Sequence, residues 1–390
     1  MGGLTAVAVF AAGALIANSW GAGLLAALFA VLLGNLSGPR ELYGPHPIIN
    51  FDYFWATSRV IRDTINEYPL WSFLFADLHA HVMVMPISLT FVALSADWVR
   101  CRVKAPRQML PRGSVPVLLF LLALTLGAIT VTNTWSTPTY VLFFIFLIGS
   151  IWLTESDDHG ILRFLYGAVV RVLLLAVAVI GGGSLLFWPY WADFVAPERN
   201  FGWERLAPNK LVQPEDFFTV FGLSLFILVP FVVSLWGQML RRDRERLSVA
   251  RVIVLLLLLA LPVAGFLAST RAGMLVLFLI ALQLLLAPTT DRRWRLPLAL
   301  AAFAFAVTAG TDLVYVWDRM NTIFKFYLEA WFMLSLAAAA AALALWRGQV
   351  GLGWLRRPWQ LVLLVLIGVS AFTGVTGIMG LLRTYRVQTP

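Results

Sequence analysis

The stretch FADLHAH, residues 75–81, sets Asp77 beside His79 and His81 and uses half of the four histidines of a 390-residue chain. A carboxylate and two imidazoles at this spacing suit two kinds of chemistry. In an extended segment all three point one way, because Leu78 and Ala80 take the alternate positions. In a helix Asp77 and His81 are i,i+4 neighbours on one face. Either arrangement offers part of a divalent-metal site, for Mg²⁺ or Mn²⁺, whose remaining ligands come from elsewhere. Either also offers a carboxylate–imidazole pair that moves a proton. The competing reading is interfacial capping, with Asp77 near the start of the apolar run that follows. Three such groups beside an apolar run are costly unless they are used.

A second constellation is DLVYVWDRMNTIFKFYLEAWF, residues 312–332. Helical periodicity puts Asp318, Asn321 or Thr322, Lys325 and Glu329 on one stripe, with Ile323, Phe324, Phe326 and Trp331 on the other faces. This stripe reads as a cleft for a phosphate-bearing headgroup, with Lys325 as a point charge and Arg319 as a fork. It reads equally as a Lys325–Glu329 ion pair in the weaker, Lys-first orientation. Arg271, in LASTRAGML, stands alone between two apolar runs. At a helix centre it would cost about 3 kcal/mol on insertion scales, so it belongs at a surface, as a phosphate ligand or snorkelling to lipid. FGWERLAPNKLVQPEDFF (201–218) carries Arg205, Asn209, Lys210 and Asp216 in a loop that Pro208 and Pro214 keep from being helical. TNTWSTPTY (132–140) reads as an aromatic-belt turn or as a cleft wall.

The elements that must position these groups are membrane helices. Hydrophobic residues make up 60% of the chain and charged residues 13%, whereas a soluble domain runs nearer half and a quarter. The excess falls into runs such as VPVLLFLLALTLGAITV (115–131) and RVIVLLLLLALPVAGFLA (251–268), which read as transmembrane helices. Roughly ten to twelve such segments predict an all-α, polytopic bundle forming one membrane domain over 1–390. A barrel is excluded, because these runs do not alternate. Residues 3–17 and 21–35 predict a hairpin turning at Asn18-Ser19. Later spans fall near 82–98, 115–132, 138–153, 163–188, 217–238, 252–268, 273–287, 296–310, 329–346 and 360–381.

The net charge of +9 sits in short basic loops, 99–114, 239–251, 288–295 and 347–359. That is the positive-inside pattern of a cytoplasmic face, not a nucleic-acid surface. Loops 36–80, 189–216 and 310–328 then lie outside. They are longer and hold most of the acids, so a site is expected there. Mid-span regions read as nearly free of charge. The single cysteine, Cys101, excludes an intrachain disulfide and a Cys-based zinc cluster. No internal repeat and no inverted pair of broken helices is visible.

Four separated strings resemble one family in the right order: FDYFWATSRVIRDTINEYPLWSFLFADLHAHVMVMP (51–86), NTWSTPTY (133–140), FGWERLAPNKLVQPEDFF (201–218) and DRMNTIFKFYLEAW (318–331). The family is that of prokaryotic YYY-domain (Chlor-Arch-YYY) membrane proteins, whose function is unassigned. The family is in turn remotely similar in architecture to GT-C membrane glycosyltransferases. The resemblance implies a plasma-membrane protein with its site on the extracytoplasmic face, taking a sugar from a polyprenyl-phosphate donor. It implies too that this chain is the C-terminal part of such a protein. It has no run of consecutive tyrosines, and an upstream half, in a longer chain or a partner, would hold the main carboxylate.

The expected roles are then Asp77 as base or metal ligand, with His79 and His81 as co-ligands or proton shuttles. Arg271 and Lys325 would hold the phosphate. Asp318 and Asn321 would orient acceptor or sugar, with Arg319, Glu329, Arg205 and Lys210 lining the cleft. Two other classes fit the same groups: a transporter or flippase for a polar lipid headgroup, and a non-catalytic scaffold subunit.

Overall fold

Apolar runs of this length leave no backbone partner but their own, so the chain closes its hydrogen bonds within helices. A computed structural model describes residues 1–76, 78–104, 114–154, 161–195, 201–202, 211–242, 266 and 269–388. Helices α1 (Gly2–Ala17) and α2 (Trp20–Ala27, prolonged by a π-turn over Leu28–Leu32) form the expected hairpin. It turns at Asn18, whose backbone is left-handed (φ 50°), a conformation that asparagine tolerates. The polar segment that follows holds three short helices, α3 (Gly38–Leu42), α4 (Phe51–Ala56) and α5 (Pro69–Phe75). Then come α6 (Ala80–Lys104), α7 (Ser114–Thr132), α8 (Thr137–Thr154), α9 (Ile161–Leu186), α10 (Trp188–Asp193), strand β1 (Phe201–Gly202) and α11 (Pro214–Arg242). The chain finishes with α12 (Thr270–Leu286), α13 (Arg295–Gly310), strand β2 (Tyr315–Val316), α14 (Arg319–Trp346) and α15 (Arg356–Gln388).

Among the described residues seven helices are long and apolar enough to cross a membrane, with three shorter apolar ones at Gly2–Ala17, Trp20–Leu32 and Thr270–Leu286. The protein is an all-α polytopic membrane protein. The span expected at 252–268 lies almost wholly outside the described residues. The central helix is α14: 94% of its apolar window is buried, against 17% for α9. Its lower half, Ala337–Ala342, is alanine, the strongest helix former. Those small side chains let α1, α2, α11 and α13 pack closely around it. One expectation is corrected: the span placed at 329–346 begins ten residues earlier, at Arg319, because Asp318 caps it. Glu329 therefore lies roughly 15 Å inside the helix rather than at its mouth.

Two ends of the bundle differ in kind. At one, arginines tie helix ends together: Arg100 donates to Leu15 O and Asn18 Oδ1, Arg295 to Thr154 Oγ1, and Arg356 to Trp346 O. These are the residues of the basic loops. At the other end, β1 pairs antiparallel with β2, Val212 N donates to Asp312 Oδ1, and Arg319 Nη1 donates to Arg62 O at 3.1 Å. Segments of the three acid-bearing loops therefore touch. Residues 36–76 are held down by α15. Tyr53 donates to Gly38 O or to Thr376 Oγ1, 2.7 Å away, while Gly38 N donates to Thr373 Oγ1. Gly380 makes this docking possible: a Cβ there would meet Asn50 O at 2.6 Å.

Candidate active site

The site is built where the start of α6 meets α14. Helix α5 ends at Phe75, and Ala76 turns the chain in the left-handed region (φ 60°). The next helix starts at Ala80. His79 thus precedes α6, and His81 lies in its first turn. Asp77 itself lies outside the described residues, as do Arg205 and Lys210. The imidazole of His81 is buried (6% exposed). Its Nε2 is 3.2 Å from Glu67 Oε2, and its Nδ1 is 3.4 Å from Lys325 Nζ. Ser72 Oγ donates to the same Glu67 oxygen at 2.9 Å. One tautomer serves both contacts: Nε2–H donates to the carboxylate, and Nδ1 accepts from the ammonium.

Glu67 is the partner that sequence reasoning missed. It stands fourteen residues before His81, beyond any helical or strand periodicity. The loop fold brings it in: Asn66 N donates to Ser58 O, and Asn66 Oδ1 accepts from Ile61 N at 2.6 Å. Pro69 follows at the first turn of α5, where its missing N–H costs nothing. The pair faces a cavity of about 210 Å³ lined by Trp55, Trp71 and Phe75, with Arg59, His79 and His81 as its cationic or ionisable groups. The Arg59 guanidinium lies 4.1 Å from the Trp55 ring centroid, a cation–π contact. Neither Arg59 nor the tryptophans were singled out in the sequence. The signal was present in WATSR (55–59), an arginine four residues after a tryptophan in a short helix.

The polar stripe of α14 divides among several partners. Lys325 turns to His81. Glu329 is buried and accepts from Ser136 Oγ at 2.5 Å and from Tyr140 OH, with Asn133 Nδ2 donating in turn to Ser136 Oγ. The local Lys325–Glu329 ion pair does not form. TNTWSTPTY is likewise more than an aromatic belt turn, since it supplies the cradle for Glu329. Asp318 Oδ1 and Oδ2 accept from Asn321 N and Nδ2, at 2.6 and 2.7 Å, so both residues serve the helix cap. Thr322 Oγ1 accepts from Val316 N.

Arg271 and Arg319 belong to a second centre. Both lie in the field of Asp312, whose carboxyl is pushed up to about 6 by burial, against the lowering effects of the Val212 N–H and the two arginines. The expected clamp of Arg271 with Lys325 is therefore split between two centres. The donor set at His81 does not fit a divalent cation. Its two nitrogens are engaged by a carboxylate and an ammonium, and the ammonium repels a second cation. Among the described residues no three His, Cys, Asp or Glu gather as a metal cage.

Fold and site thus define a polytopic helical membrane protein with a buried carboxylate–imidazole–ammonium cluster at one end. A family of uncharacterized membrane proteins, DUF2298, matches residues 1–334, and the chain belongs to that family. No curated protein and no solved structure matches it.

Proposed function

We propose that the protein is a GT-C-like glycosyltransferase that takes a sugar from a polyprenyl-phosphate donor at the extracytoplasmic leaflet of a prokaryotic plasma membrane. The observation that supports this reading most is the Glu67–His81 pair opening on a tryptophan-walled cavity that holds Arg59. A volume of about 210 Å³ is smaller than the usual ligand site of about 300 Å³ or more. It suits one sugar-sized group, with the lipid tail left in the bilayer. Trp55 is partly exposed and offers an apolar edge beside Arg59 to a sugar ring, while Trp71, stacked between Phe54 and Phe75, backs the wall. Glu67 holds the Nε2–H side of His81. For His81 to take the proton of the acceptor hydroxyl, that hydroxyl replaces Lys325 at Nδ1, the nitrogen that carries the lone pair. The acceptor oxygen bonds to the anomeric carbon, and the carbon–oxygen bond to the phosphate breaks with its electron pair leaving on the phosphate. The Arg59 fork receives that anion. Lys325 adds positive potential from behind His81. A divalent metal, if one is used, would have to be held by groups other than His81, and no step is assigned to it.

The test is transfer from radiolabelled polyprenyl-phosphate sugars by the purified protein. His81→Gln and Glu67→Gln should lower transfer by about 10²- to 10⁴-fold, as for loss of general-base function, with the fold intact. Full activity in His81→Gln sinks the assignment. One observation favours a second reading, a flippase for the same headgroup. Glu329, buried about 15 Å along α14, is an ionisable group deeper in the span than the sequence suggested. Scrambling of labelled lipid in proteoliposomes, without bond cleavage, would select that reading.

A further inference from the structure

At the bundle end opposite His81, helices α6 to α9 enclose a cavity of about 700 Å³. Trp98 of α6, Val115 of α7, Trp152 of α8 and Leu175 and Ala178 of α9 give it apolar walls, and Arg171 of α9 is its cation. Arg171 stands two residues inside the apolar window Val169–Leu186, on the helix least covered by the rest of the protein. Its guanidinium carbon lies 4.6 Å from the Trp152 ring centroid. Among the described residues no carboxylate comes within ion-pair distance of it.

Arg171 lies ten residues into α9 but only two into its apolar window, beside Trp152. A lipid-facing cation at that edge is stable where it meets headgroup phosphate, and tryptophan favours the same level. From Arg171 the cavity runs toward Leu175 and Ala178, one and two turns deeper along α9. A cation at the interface with an apolar slot running inward matches an amphiphile with an anionic head and a hydrocarbon tail.

We propose that this cavity holds an acyl chain of an anionic phospholipid whose phosphate sits on Arg171. The site is independent of the transferase reading. It is tested by native mass spectrometry of the protein purified with equimolar phosphatidylglycerol and phosphatidylcholine. Wild type is expected to retain phosphatidylglycerol preferentially, by about tenfold. Arg171→Gln should abolish that preference, Arg171→Lys should keep part of it, and Ala178→Phe should expel lipid of both kinds by filling the slot. Arg171 is exposed, so its substitution leaves the core intact and decides the matter even where the phenylalanine variant does not fold. Unchanged phosphatidylglycerol retention in Arg171→Gln, or no preference in wild type, overturns the proposal. Binding of polyprenyl phosphate at the far end reads out separately in the same spectra.

Discussion

Burial is what makes Glu67, His81 and Glu329 informative. A carboxylate within a membrane bundle is tolerated when its lone pairs are filled, and Glu329 has Ser136 and Tyr140 to fill them. Glu329→Gln should keep much of this cradle, whereas Glu329→Ala orphans two hydroxyls and should cost roughly 2–4 kcal/mol, read as a fall in Tm in detergent. Asp312 carries a pH signature. Its folded-state pKa of about 6 lies above the ordinary 3.8. Its contribution to stability is therefore full below about pH 4 and is lost as pH rises through 6, a change on the order of 3 kcal/mol. Asp312→Asn should flatten Tm between pH 4 and 7, and an unchanged pH slope would count against that burial. At this scale the sequence singled out His79, His81 and Lys325 as candidates, but not the contacts that His81 and Lys325 make. Local periodicity offered Glu329 to Lys325, while the observed contacts are tertiary and span 14, 189 and 244 residues.

Elements place those side chains. Helix α14 starts at Arg319, capped by Asp318, so Lys325 comes about two turns in, level with the start of α6. This start separates two accounts of Asp318. If it acts as a cap, Asp318→Ser should preserve stability and activity while Asp318→Ala loses about 1 kcal/mol. A chemical role would make both variants inactive, and chemical denaturation run beside the transfer assay tells them apart. The Asn18-Ser19 hairpin was legible because asparagine is one of few residues at ease in the left-handed region. The helical stripe from Asp318 to Glu329 was legible, but the polar RMNTIFKFY put the start of the apolar span at 329 instead of Arg319. Helices α11 and α13 pack against α14, and Tyr68 of the first outer loop lies 6.3 Å from Trp331.

For the molecule as a whole, the charge asymmetry read from the loops reappears as two chemically distinct ends, one of arginines on helix termini and one of carboxylates, histidines and aromatics. With Cys101→Ser as background, Arg62→Cys and Gln349→Cys should label from opposite sides of the membrane with an impermeant maleimide. Both positions are exposed, so labelling from one side only would break the topology. The remaining question is whether the carboxylate–histidine end receives a lipid-linked sugar. Native mass spectrometry of the purified chain, loaded with a polyprenyl-phosphate sugar, asks this most directly. The expected result is a bound adduct in wild type that is lost in Arg59→Gln and weakened in Lys325→Met. Equal retention of the adduct in wild type and Arg59→Gln would contradict the account.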